Sequence, residues 1–226
     1  MSEVLTSRAA APPIRARALA DSLRVFAGVR SGTLRLVSGL TSEQANFSPR
    51  RETWSVAQNL DHLLLTESLY RGQMSRLLEL AREGRQTNID VSLGDVDLNL
   101  PFIPKAMMPL MTLPLTMMNM FVPPIVRETV LRFPIMKAKN PKISEPAAAK
   151  PIATLREELT TSLAETESLF SGELPASAER VTVSHPVFGC NTIANLFGLM
   201  AAHEERHGTQ IRELVRQPGF PASGRL

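Results

Sequence analysis

NTIANLFGLMAAHEERHGTQIRELV, residues 191–215, decides the fold. Leu196, Met200, His203, His207, Ile211 and Leu214 recur at steps of three and four, which places them on one face of an α-helix. Asn191 and Thr192 are both good N-cap residues, and Pro218-Gly219 ends the pattern. The stretch therefore predicts one amphipathic helix with two histidines in its inward stripe, where apolar residues are the rule. Side chains four apart rise from the same face with Cβ atoms about 6 Å apart, a spacing from which two imidazoles can converge on one cation.

Working outward, three more segments have helical period. The first spans 14–40, with Leu19, Leu23, Phe26, Thr33 or Leu34, Val37 and Leu40, weakened by Gly28, Gly32 and Gly39. The second starts near Ser55, where Ser55-Val56-Ala57-Gln58 has the form of a capping box, and runs to about Ala81. His62 falls within its apolar arc, beside Leu63, Leu65, Leu69 and Tyr70. The third covers 147–170, with Pro151 in its first turns. Four amphipathic helices with few alternating β-branched runs predict an all-α, four-helix bundle. The piece over 180–183 is strand-like, and is expected to be a loop edge.

The long connection between helices two and three, 84–146, predicts a crossover insertion. Its centre, 106–126, is uncharged and rich in methionine and proline. That length of apolar chain can span a bilayer, but Pro109, Pro114, Pro123 and Pro124 break any continuous helix. A flap packed on the bundle or on a dimer partner is the expectation, with membrane-surface contact as the alternative. The predicted organisation is a tail at 1–13, a bundle over 14–217 that includes the insert, and a tail at 218–226.

Composition limits the rest. Hydrophobic residues make up 43% of the 226, which excludes wholesale disorder, and the lone Cys190 excludes a disulfide framework or a cysteine-rich zinc module. A formal charge of +3 is too small to indicate nucleic-acid binding, and none is expected. The N-terminal residues lack the apolar core of an export signal, so a cytoplasmic location is expected.

Three inward imidazoles from two helices, His62, His203 and His207, can give three nitrogens to zinc or a similar divalent ion and leave positions open for water or substrate. The alternative is three hydrogen-bonded core histidines. His203-Glu204-Glu205-Arg206-His207 also fits the H-E-x-x-H pattern of zinc peptidases. A peptidase is not expected, because Glu213 is the only acid downstream and no histidine follows. Glu204, at the edge of the stripe, is a candidate general base or a partner to the ligands; otherwise it is an edge carboxylate paired with an arginine.

The segments 52–63 (with Trp54-Ser55 and then His62), His185-Pro186-Val187-Phe188-Gly189, and 203–211 resemble the DinB/YfiT-like superfamily of metalloenzymes. That family opens its second helix with a Trp-Ser pair followed by a histidine, often has a His-Pro-x-x-Gly turn, and ends in His-x3-His-x2-Gln. The resemblance covers about 19–81 and 140–215 and leaves the Met/Pro-rich stretch outside. It implies a four-helix bundle with a long crossover, and His62, His203 and His207 as ligands for zinc, nickel, iron or manganese. It also implies frequent homodimers and, in some members, S-transfer from a low-molecular-weight thiol cosubstrate. By the same resemblance His185 is a turn residue or a substrate contact, and Trp54 packs at the helix start. Cys190, beside a helix N-terminus, is a small buried residue or a thiol of lowered pKa.

Two functional expectations follow. One is a metal-dependent transferase or hydrolase acting on a small electrophilic substrate. The other is a non-catalytic bundle presenting its Met-rich flap to a membrane or protein partner.

Overall fold

The structure, a computed structural model, describes residues 14–84, 88–90, 145–146, 150–185 and 189–222. Its elements are α1 (Ile14–Leu36), α2 (Ser42–Asn46), α3 (Val56–Arg82), β1 (Asn88–Asp90), α4 (Ile152–Ser168), β2 (Thr182–His185), β3 (Gly189–Thr192) and α5 (Ile193–Val215). The expected all-α bundle is found: α1 packs against α5 and α4, and α3 against α4 and α5.

The helix boundaries follow local chemistry. At the start of α3 the capping box forms as its sequence dictates: Gln58 N–H donates to Ser55 Oγ (3.2 Å), and Ser55 N–H donates to Gln58 Oε1 (2.9 Å). Thr192 caps α5 by accepting from Asn195 N–H at 3.2 Å. Two helices are shorter than their periodicity suggests. α1 stops at Leu36, and Ser38 Oγ, donating to the Arg35 carbonyl at 2.9 Å, closes its end just before Gly39. α4 begins only after Pro151, which sits at its N-cap, where a missing N–H costs nothing. α2 is an unforeseen single turn with its own capping box between Thr41 and Gln44.

The loop edge expected at 180–183 is corrected. Thr182–His185 is a strand, paired antiparallel with β3 and parallel with β1 in a three-stranded sheet ordered β1-β2-β3. Val181 and Val183 are buried, and Ile89 packs on the same core, so β-branched side chains gain enough burial to hold three short strands together. β1 is the part of the crossover insertion that the structure describes in an element; the flap expected at 106–126 lies outside the described residues. No helix among the described residues is long and apolar enough to cross a membrane.

The core has two apolar compartments. One holds Phe26, Met74, Leu77, Leu78, Phe197 and Met200; the other holds Val37, Leu60, Leu155, Leu159, Ile211 and Leu214. Between them, in sequence on each of the four long helices, lies a polar residue: Arg30 on α1, Glu67 on α3, Ser162 and Thr166 on α4, and Glu204 on α5, all buried. Arg30 Nε and Nη2 donate to the Glu204 carboxylate at 2.9–3.1 Å, while Nη1 donates to the Leu159 carbonyl at 2.9 Å and lies 2.9 Å from Glu67 Oε2. Thr166 Oγ1 donates to Glu67 Oε1 at 2.8 Å. Arg71 reaches Ser162 Oγ at 2.8 Å and pairs with Glu165 at 2.7 Å, at the more exposed end of this layer. Burial alone would lower the Arg30 pKa, but the Glu204 and Glu67 carboxylates outweigh it and raise the value.

Candidate metal centre

His62, on the second turn of α3, and His203 and His207, on α5, come together as the sequence predicts, with one ligand atom of each within 4.8 Å of the others. The convergence is through Nε2. His203 Nε2 lies 3.2 Å from His62 Nε2 and 3.1 Å from His207 Nε2. Two nitrogens bound to one tetrahedral ion at 2.0–2.1 Å stand about 3.3–3.4 Å apart, so the spacing is that of ligands around a common centre. His62 and His207 are buried and His203 is partly buried, the least enclosed of the three.

The protonation pattern points the same way. Asn59 Nδ2 donates to the Ser55 carbonyl at 2.8 Å, which turns its Oδ1 toward His207 Nδ1 at 2.7 Å. His207 Nδ1 therefore carries a proton. Burial, with the His62 ring and Arg206 adding to it, pushes the His207 pKa down to about 3. The ring is thus neutral at pH 7, and its Nε2 presents a bare lone pair. Burial likewise holds His203 well below the ordinary histidine value, reinforced by His207, His62 and Arg206. The single proton or lone pair on His203 Nε2 cannot serve two facing nitrogens well. A cation at the centre satisfies all three, and this donor set of neutral imidazoles suits a divalent ion of the zinc, nickel or iron type.

The α3 cap is the device that aims His207. The same Ser55 that closes the helix fixes Asn59, and Asn59 fixes the ring across the bundle. Trp54 forms a wall: its ring centroid is 4.9 Å from that of His62 and 6.2 Å from that of His207, nearly parallel to the latter at 18°. Trp54 thus packs at the helix start as expected, and it lies against the His62 and His207 rings as well. Asn59→Ala is expected to weaken metal binding by about 10–100-fold, the usual effect of removing the group that orients a histidine ligand. Competition against a chelator measures this, and a change below threefold would show that the ring is held by something else.

Glu204 does not take the part of a general base. Its carboxylate is buried, and Arg30 bonds both of its oxygens, so it faces α1 rather than reaching the three nitrogens. Of the two sequence alternatives, pairing with an arginine is the observed one, in the core rather than at an exposed edge. Cys190 is exposed on β3, contrary to the buried position expected. His185 ends β2 opposite Gly189, and the turn at 186–188 lies outside the described residues.

Asn59 and Arg30 were not singled out by the sequence pattern, yet both left a trace. Asn59 stands three residues before His62 on the same helical face. Arg30 fills the seven-residue gap in the α1 stripe between Phe26 and Leu34.

No curated protein and no solved structure matches the chain. A family model described as the DinB superfamily matches residues 26–211, a span running from the middle of α1 to the last turns of α5 and including all three histidines. With most of its length covered by that match, the chain belongs to the DinB superfamily.

Proposed function

We propose that this chain is a metal-dependent enzyme in which His62, His203 and His207 hold one divalent ion: zinc, nickel, iron or manganese. The observation that carries this reading is the approach of three Nε2 atoms, at 3.1 and 3.2 Å from His203, in a site where two of the rings are held neutral. When bound, such an ion supplies Lewis acidity that lowers the pKa of a thiol or water and makes it a nucleophile near neutral pH. The reaction we assign is attack by a small thiol, or by water, on a small electrophilic substrate.

The protein's own residues do the positioning. Asn59 holds His207 in the tautomer with Nδ1 protonated and Nε2 available. Trp54 excludes water from the buried side. The part-exposed His203 marks the side from which substrate enters. With Glu204 committed to Arg30, the proton leaving a thiol or water passes to solvent or to the substrate.

The test uses untagged protein purified without added metal. It is expected to carry about one divalent ion per chain and to speed the conjugation of 2-mercaptoethanol to 1-chloro-2,4-dinitrobenzene, or the hydrolysis of an activated ester, with the rate abolished by chelation and restored by the same metal. Protein that neither carries nor takes up divalent ions would overturn the proposal. A rate indifferent to chelation would remove the catalytic part of it.

A further inference from the structure

Arg206 is set between the two α5 ligands, three residues after His203 and one before His207. At ~100° per residue it flanks the histidine stripe on the side opposite Glu204. The two flanking charges fare differently. Glu204 is fully paired, whereas Arg206 makes no ion pair among the described residues and its buried Nε has no hydrogen-bond acceptor. Arg30 and Arg71, the other arginines drawn into the bundle, each have carboxylate partners.

A partly buried guanidinium whose Nε has no acceptor is costly, and this one stands on α5 directly between the two histidines. Three imidazoles bring no negative charge to a divalent ion, so a bound ion and the guanidinium together would make the surroundings of His203 and His207 positive. The planar N–H fork of arginine matches a carboxylate in two parallel hydrogen bonds.

We propose that Arg206 is an anion-recognition residue of this site, and that the molecule bound there is a small organic acid whose carboxylate pairs with the guanidinium while a second donor atom reaches the histidine cluster. This inference rests on the reading of the triad as a metal site only for the second donor; the carboxylate contact stands without it.

The experiment uses the full chain as purified, with its metal content measured. Binding of 3-mercaptopropionate is compared with that of 2-mercaptoethanol, which has the thiol but no carboxylate, by titration calorimetry. In parallel, the arginine Nε–H signals are followed by ¹H–¹⁵N NMR during addition of propionate, with the Arg206 signal identified by its loss in Arg206→Lys. The acid is expected to bind the wild type at least about tenfold tighter than the alcohol, and Arg206→Gln to reduce that preference below threefold with metal content unchanged. The Arg206 signal should move saturably with propionate, a readout that needs no variant to fold beyond the one used for assignment. A preference that survives in Arg206→Gln, or an Arg206 signal unmoved at saturating acid in metal-bearing protein, overturns the inference and leaves the metal reading intact. A signal that moves with propionate in protein that neither carries nor takes up divalent ions upholds the anion site while the metal reading falls.

Discussion

His203→Ala protein is expected to purify with less than a tenth of the metal carried by the wild type, and with its far-UV circular dichroism unchanged. His203 is chosen because its Nε2 is the atom shared by both short contacts, 3.2 Å to His62 and 3.1 Å to His207. Its removal leaves two ligands on different helices with no third to close the site. Loss of a directly bound nitrogen should exceed the roughly 10–100-fold expected for Asn59→Ala, which only orients a ligand. The helices should survive, because His203 is part-exposed and caps no apolar cluster. In the metal-free state the variant should be at least as stable as the wild type, since truncation relieves a crowd of facing nitrogens. Elemental analysis by mass spectrometry beside thermal unfolding checks both statements. Full metal occupancy in the variant would place the ion elsewhere, and a large loss of apo stability would make the three rings a structural cluster.

Arg30→Met should be the most destabilising single change in the bundle. It removes the guanidinium that neutralises Glu204 and leaves that carboxylate buried without a counter-ion, while Glu67 keeps only Arg71, 3.9 Å away. Breaking a buried pair from one side costs about 3–5 kcal/mol. For a chain of this size that corresponds to a fall in Tm of about 6–20 °C. Adding Glu67→Gln and Glu204→Gln to Arg30→Met should recover much of the loss, because the penalty comes from stranded charge rather than from lost attraction. Thermal unfolding of the single and triple variants decides it. A loss under about 1 kcal/mol in the single variant would mean that water already reaches the layer.

Much of this was legible in the sequence, for reasons that can be named. Ser55 and Gln58 announce the start of α3 because a capping box is a contact between residues three apart, visible without a fold. His62, His203 and His207 could be placed inward because helical period puts each on an apolar stripe. What escaped was whatever depends on a partner distant in the chain. Thr182–His185 is a strand only because Asn88–Asp90 and Gly189–Thr192 lie beside it. For Glu204 an arginine partner was one of two alternatives, but which arginine could not be read, since Arg30 lies 174 residues earlier. Asn59 faces His207 across 148 residues, so its function exists only once α3 and α5 are packed.

The charged layer that separates the two apolar compartments also has a bearing on alignment. Leucine and phenylalanine faces are forgiving: one helix can slide past another and exchange one greasy neighbour for the next at modest cost. A one-turn slip moves a residue by about 5.4 Å. For α5 that would carry Glu204 out of reach of Arg30 and into hydrocarbon, a penalty no apolar regrouping could recover. The layer therefore acts as an index pin for the bundle. Because Glu204 is the next residue after His203, the pin sits beside the jaws it aligns, and the meeting of three nitrogens from two helices becomes a consequence of a single buried ion pair being in register.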